Sequence, residues 1–187
     1  MAIPAVDLRI RHWTREDYER MAEQGFFRPD ERVELVDGVI FEMAPQNSWH
    51  AAAIQAAQEV LHPIFRKGYS LRIQMPLALG LESEPEPDLA VVRGHWRDYR
   101  DSHPTMAVLI LEVADSTVFH DRERKSALYA RVGIPDYWIL NRVDACLEVQ
   151  RDPREGTYQT RRSLRAGDSI SPLARPEASI LVADLLP

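Results

Sequence analysis

Two carboxylates and a lysine stand where they could do phosphodiester chemistry. Asp88 follows Pro87 and opens one apolar run, Glu112 ends another, and Lys125 lies on a helix just beyond. Paired carboxylates can hold a divalent cation, and a nearby ammonium offers positive charge to a phosphate or to its attacking water. Composition adds a second signal. Of 23 basic residues, only Lys67 and Lys125 are lysines. Where arginine is the default cation, a compact ammonium in this place suggests a chemical requirement.

Glu112 follows the apolar run Met106 to Leu111, which reads as a central strand buried on both faces. A carboxylate there must meet a cation, a metal or solvent, because burying it unpaired is prohibitive. Emergence into water is the simpler account of Glu112 alone; the company of Asp88 and Lys125 favours a site. Pro87 keeps Glu86 extended and delivers Asp88 to a strand start. Such a start can lie beside the end of a neighbouring strand. Lys125 shares its helical phase with Leu128, Tyr129 and Val132, whereas Arg124 and Arg131 fall on another face. Lys125 is therefore expected to point inward.

Other residues carry weaker signals. Glu34, and His50 at the start of the second helix, are secondary candidates for the rim of such a site. Asp121 reads as a helix cap rather than a catalyst, and Glu82 and Glu84 as part of a solvated loop. Arg93, Arg97 and Arg100, interleaved with Trp96 and Tyr99, could grip phosphates and stack a base. An ordinary amphipathic surface turn explains them equally well.

The elements that must position these side chains follow from capping and periodicity. Thr14 with Asp17 marks a first helix that stops at Gly25. Asp37-Gly38 joins two short apolar runs as a hairpin. Ser48 is expected to cap a second helix running to about Lys67. Strands are expected over 69–79, interrupted at Pro76, then over 89–92, 106–113 and 137–140. A helix spans Asp121 to Val132, and the runs around Cys146–Gln150 and Tyr158–Leu164 form an antiparallel pair. This order predicts a single α/β domain with a mixed central sheet flanked by helices.

At 187 residues, 45% apolar and 28% charged, the chain suits one soluble globular domain. A lone Cys146 leaves no internal disulfide, and no segment reaches the length of a membrane span. Met1 to Arg11 carries no apolar core of a signal peptide. A cytoplasmic location is the expectation. The net charge of -6 excludes indiscriminate coating of nucleic acid, which depends on phosphate neutralisation. The chain has no glycine-rich phosphate loop, paired-cysteine zinc pattern or glycine-flanked serine elbow. A two-carboxylate glycosidase would leave Lys125 unexplained.

Pro87-Asp88, Leu111-Glu112-Val113-Ala114-Asp115-Ser116, Asp121, Lys125 and the block Tyr129 to Trp138 together resemble the Uma family of restriction endonucleases, within the PD-(D/E)XK nuclease superfamily. Glu34-Leu35-Val36-Asp37-Gly38 and His50 agree with it, and the likeness spans about 14–187. It implies a restriction-endonuclease-like fold, Mg2+ or Mn2+, DNA as substrate and self-association, with a dimer favoured. It also implies that Asp88 is the motif aspartate and Glu112 the acid of the (D/E)XK element. Ala114 stands where that element has lysine, and the resemblance carries the role to Lys125 on the following helix. The resulting expectation is a Mg-dependent endodeoxyribonuclease whose metal ligands are Asp88, Glu112 and the Val113 carbonyl. The alternative is a non-catalytic nuclease-fold protein that binds nucleic acid or regulates.

Overall fold

The computed structural model describes residues 10–115 and 117–187. The expectation that Met1–Arg11 carries no leader falls almost wholly outside the described residues, as does Ser116 of the family motif. Helix α1 (Arg15–Glu23) opens with a complete capping box: Thr14 Oγ1 accepts from the Asp17 N–H, and Asp17 bonds back to the Thr14 N–H. Strands β1 (Val33–Val36) and β2 (Val39–Glu42) form the hairpin around Asp37-Gly38. Both turn residues have positive φ, 50° and 74°, as a type I′ turn demands. Gly38 is required twice over, because a Cβ there would lie 2.5 Å from the His12 Cβ.

The main sheet has the order β3-β4-β5-β6-β7-β8, from β3 (Tyr69–Ile73), β4 (Leu89–Arg93), β5 (Leu109–Ala114), β6 (Asp136–Asn141), β7 (Cys146–Arg154) and β8 (Thr157–Leu164). Only β5 and β6 pair in parallel. Their crossover holds a continuous helical stretch: α3 (Val118–His120), a π-helical turn (Asp121–Lys125) and α4 (Ser126–Arg131). A short pair, β9 (Ser169–Ile170) with β10 (Ile180–Leu181), completes the strands. The sheet is mixed and flanked by helices, as expected.

Strand parity divides the core. Leu89, Val91, Leu109, Leu111 and Val113 face α2 (Ser48–Ile64), which offers Ala53, Ala57 and Leu61 at four-residue spacing. Ala90, Val92, Ile110 and Ala114 face α4 through Leu128 and Tyr129. Glu112 has the parity of Ile110 and Ala114, so its carboxylate is aimed at the α4 side.

Several expectations need correction. The N-cap of α2 is Asn47, whose Oδ1 accepts from the His50 N–H at 3.0 Å; Ser48 is the first helical residue. That helix ends at Ile64, not Lys67. The strand expected over 69–79 stops at Ile73, because Gln74 turns left-handed (φ 49°) and Pro76 has no N–H to donate. Leu77, Ala78 and Leu79 are buried, yet their N–H groups bond to the carbonyls of Pro85, Pro104 and Ser83 instead of to a strand. Glu84 does not sit in a solvated loop. An antiparallel bridge to Leu35 draws it in, and it is 5% exposed. Among the described residues no helix is long and apolar enough to cross a membrane.

Candidate active site

The β4–β5 register pairs Leu89 with Leu111, so Asp88 and Glu112 are the next opposed pair and share a face. The Asp88 N–H donates to Glu112 Oε2 at 3.2 Å, and the Val113 N–H donates to Asp88 Oδ2 at 2.8 Å. From the helical crossover, Lys125 Nζ reaches Glu112 Oε1 at 3.0 Å and Glu34 Oε2 at 3.1 Å. Tyr129 donates its hydroxyl to the same Glu112 oxygen at 2.8 Å. His50 Nε2 lies 3.0 Å from Asp88 Oδ1, and Gln74 Nε2 donates to that oxygen at 3.1 Å. Asp88, Glu112, Lys125, Val113, Glu34 and His50 line one cavity of about 220 Å³.

Each side chain is delivered by a different local device. The tight hairpin turn holds β1 so that Glu34 faces the cavity, with the Glu86 N–H donating to its Oε2 at 3.1 Å. The Asn47 cap sets the first turn of α2 and hence His50. The π-helical turn brings Asp121 and Lys125 to the same side, both buried, a distortion often found at functional positions. Asp121 is thus no helix cap. It lies inside the helical stretch, accepts from Thr117 Oγ1 at 2.8 Å and lines the cavity.

The electrostatics are lopsided. Glu34, Asp88, Glu112 and Asp121 are all within 6% of full burial, against one equally buried ammonium, Lys125. Burial pushes the Glu112 carboxyl up to about 8; Lys125 opposes the rise, and Asp88, Asp121 and Glu34 add to it. Burial raises Asp121 as well. For Glu34 burial acts in the same sense, but the Lys125 ammonium, His120 and the Glu86 N–H outweigh it and hold the carboxyl down at about 2. Burial alone would strip the Lys125 proton. The carboxylates of Glu112, Glu34, Asp121 and Asp88 outweigh it and keep that pKa well above the ordinary lysine value. The cluster therefore holds a charged Lys125 and a charged Glu34. Burial and the acidic neighbours resist ionisation of Glu112, whose oxygens accept from Lys125, the Tyr129 hydroxyl and the Asp88 N–H.

A divalent cation fits this donor set. The oxygens are hard, and the surplus of acidic groups over cations is what a dication would relieve. Among the described residues no group of three or more His, Cys, Asp or Glu side chains is arranged as a metal cage. Asp88 and Glu112, which meet across β4 and β5, and the backbone of the cavity-lining Val113 could hold such an ion, with water completing its shell.

Arg93, Arg97 and Arg100 are not brought to this cavity. Arg93 ends β4, about 16 Å along the strand from Asp88. There it stacks on Tyr69, Arg97 stacks on Trp96, and Arg100 pairs with Asp101. Sequence reasoning missed Gln74, whose left-handed backbone aims its amide at Asp88, and no local signal marks it. It also took Tyr129 only as an apolar contact; the phenol's partner is set by the fold. His120, 3.8 Å from Glu34, was one histidine among several.

The sequence matches the Uma2 family, described as "Putative restriction endonuclease", over residues 15–183. The chain belongs to the Uma2 family. The fold is similar to that of "a putative nuclease belonging to DUF820 from Anabaena variabilis ATCC 29413", with a TM-score of 0.71 and 12% identity over 92% of this chain and 97% of that one. No curated protein matches the sequence. Membership supports a nuclease function, and the structural likeness shows the same fold.

Proposed function

We propose that the protein is a divalent-metal-dependent endonuclease that hydrolyses phosphodiester bonds in DNA. Asp88, Glu112 and the Val113 carbonyl hold Mg2+ or Mn2+. The observation that carries this reading is one buried ammonium within 3.1 Å of two of four buried carboxylates. When bound, such a cation neutralises phosphate charge and lowers the pKa of water.

The chain's own residues supply the rest. Glu34 secures the Lys125 proton, so the ammonium is available to orient the attacking water or to stabilise charge on the phosphoryl oxygens. His50 and Gln74 fix one Asp88 oxygen, and Tyr129 fixes one Glu112 oxygen, which sets the direction of the remaining lone pairs. The low accessibility of all four carboxylates excludes bulk water and strengthens each interaction. A cytoplasmic setting and self-association, with a dimer favoured, belong to the proposal on the family likeness alone.

Incubation of supercoiled plasmid, linear duplex and single-stranded DNA with Mg2+, Mn2+ or EDTA tests the proposal. Cleavage should require the metal and vanish in Glu112→Gln. Absence of cleavage by wild type with every metal, together with Lys125-dependent binding of nucleic acid, would replace the enzyme with a non-catalytic binding protein.

A further inference from the structure

Two pairs of aromatic and guanidinium groups, each in contact with or next to a cavity-lining residue, are not used by the hydrolytic chemistry. On the hairpin side, Phe41 lines the cavity, makes an edge contact with His120 at 4.8 Å and lies under the Arg124 guanidinium at 5.3 Å. At the start of α2, Trp49 precedes the cavity-lining His50, packs with part of its ring against the α2-side core and lies under Arg142 at 5.2 Å. Arg142 is held there by Asp115, another lining residue, at 2.7 Å, and Asn47 donates to the same carboxylate at 3.0 Å. Phe119, adjacent to His120 in α3, is 77% exposed. An exposed phenylalanine offers a face on which a flat ring can stack.

Two further facts limit what can enter. The candidate catalytic oxygens lie at the floor of a space of about 220 Å³, whereas a duplex is about 20 Å wide and buries its base faces in its own stack. The net charge of -6 offers no broad phosphate neutralisation to a duplex or to a single strand, so affinity must come from contacts other than charge. Stacking on aromatic rings and guanidinium planes needs no net positive charge, and it reads only bases freed from the helix.

We infer that the substrate is an unpaired stretch of DNA, a single strand or a frayed or flapped end, whose bases stack on the Phe41–Arg124, Trp49–Arg142 and Phe119 rim while its phosphate descends to Asp88 and Glu112. The inference rests on the nuclease reading for the phosphate's destination, but the rim can be tested without catalysis.

Fluorescence anisotropy in EDTA, with a labelled 12-nucleotide single strand and the matching blunt duplex, makes that test. The single strand should bind at least tenfold more tightly. Phe119→Ala, at an exposed position, should weaken single-strand binding about tenfold and leave duplex binding unchanged. Trp49→Ala should do the same, and Trp49→Phe should restore most of the affinity; a thermal melt of each variant separates lost stacking from lost folding. Equal or tighter duplex binding, or a Phe119→Ala variant that binds the single strand like wild type, overturns the inference. Faster metal-dependent cleavage of duplex than of single strand overturns it while leaving the nuclease reading intact. Rim-dependent single-strand binding without cleavage under any metal does the reverse. A single-stranded RNA bound more tightly than its DNA counterpart overturns the choice of DNA.

Discussion

Two clusters of buried charge lie on adjoining strands of the sheet, and they are built on opposite principles. Asp136, at the start of β6 and fully buried, accepts from Arg151 Nε and Nη2 at 2.8 and 3.1 Å, from the Trp138 indole N–H at 2.7 Å and from the Leu173 N–H at 2.9 Å. One carboxylate meets one guanidinium, and both carboxylate oxygens are satisfied. The cavity cluster sets four carboxylates against one ammonium, and its Glu112 is pushed up to about 8 by burial and by its acidic neighbours. A balanced cluster finishes its business on folding; an unbalanced one is left waiting for a ligand.

The sharpest way to break that contrast is to unbalance the first cluster. Arg151→Met leaves Asp136 buried without its cation and should cost about 3–5 kcal/mol of stability, read as a fall in the urea midpoint. Glu112→Gln puts an uncharged amide where burial and acidic neighbours already disfavour a charge, so stability without metal should hold or rise. If the two variants lose stability equally, the clusters do not differ in kind.

Activity is the next measure. Lys125→Met keeps the length of the stem beside Leu128 and Tyr129 but removes the ammonium, and should lower the single-turnover cleavage rate about 10²–10³-fold with little change in DNA affinity. Lys125→Arg should also be poor, because a planar fork does not replace a point charge held between two carboxylates. Wild-type rates in the arginine variant would reduce Lys125 to diffuse positive charge.

Metal linkage separates the clusters with a smaller signal. At ten times its Kd, an ion bound only by the folded protein stabilises by about 1.4 kcal/mol. Thermal melts should show this rise with Mg2+ or Mn2+ for wild type and for the milder Asp136→Asn, but not for Asp88→Asn. A rise in all three would place the ion elsewhere.

Glu84 offers the mildest comparison, a surplus acid outside the cavity. Burial, then Glu19, raises its pKa from 4.5 to about 7, while Arg15 at 3.8 Å opposes the shift. A carboxyl whose folded pKa is raised contributes its stability in full below the unfolded value. That contribution is lost as pH climbs through the folded value. Stability should therefore fall between about pH 4.5 and 7, and Glu84→Gln should flatten that slope without altering the metal response. An unchanged slope in the variant would show that Glu84 titrates normally.

Much of this was legible in the chain. Thr14 with Asp17, Asp37-Gly38 and the phase of Lys125 with Leu128 and Tyr129 are short-range signals, and each led to the observed element because capping, turn geometry and helical periodicity act over a few residues. The buried strand before Glu112 was visible as an apolar run, and the family likeness tied Asp88, Glu112 and Lys125 together.

What the sequence could not supply depends on pairs distant in the chain. Ser48 and Asn47 are both good caps, and the choice fell to Asn47, which also donates to Asp115 68 residues away. Glu84 looked like one more acid in a polar loop until the bridge to Leu35 carried it inside. Gln74 has no local mark, yet its left-handed backbone and its amide are both committed to Asp88. Asp121 took the part of a cavity acid because a π-helical turn, stabilised only by its surroundings, turned it inward. Residue type and local spacing determined which groups could do chemistry. Strand register and helix packing decided which of them meet, because electrostatic and hydrogen-bond energies depend on distance in space and not along the chain.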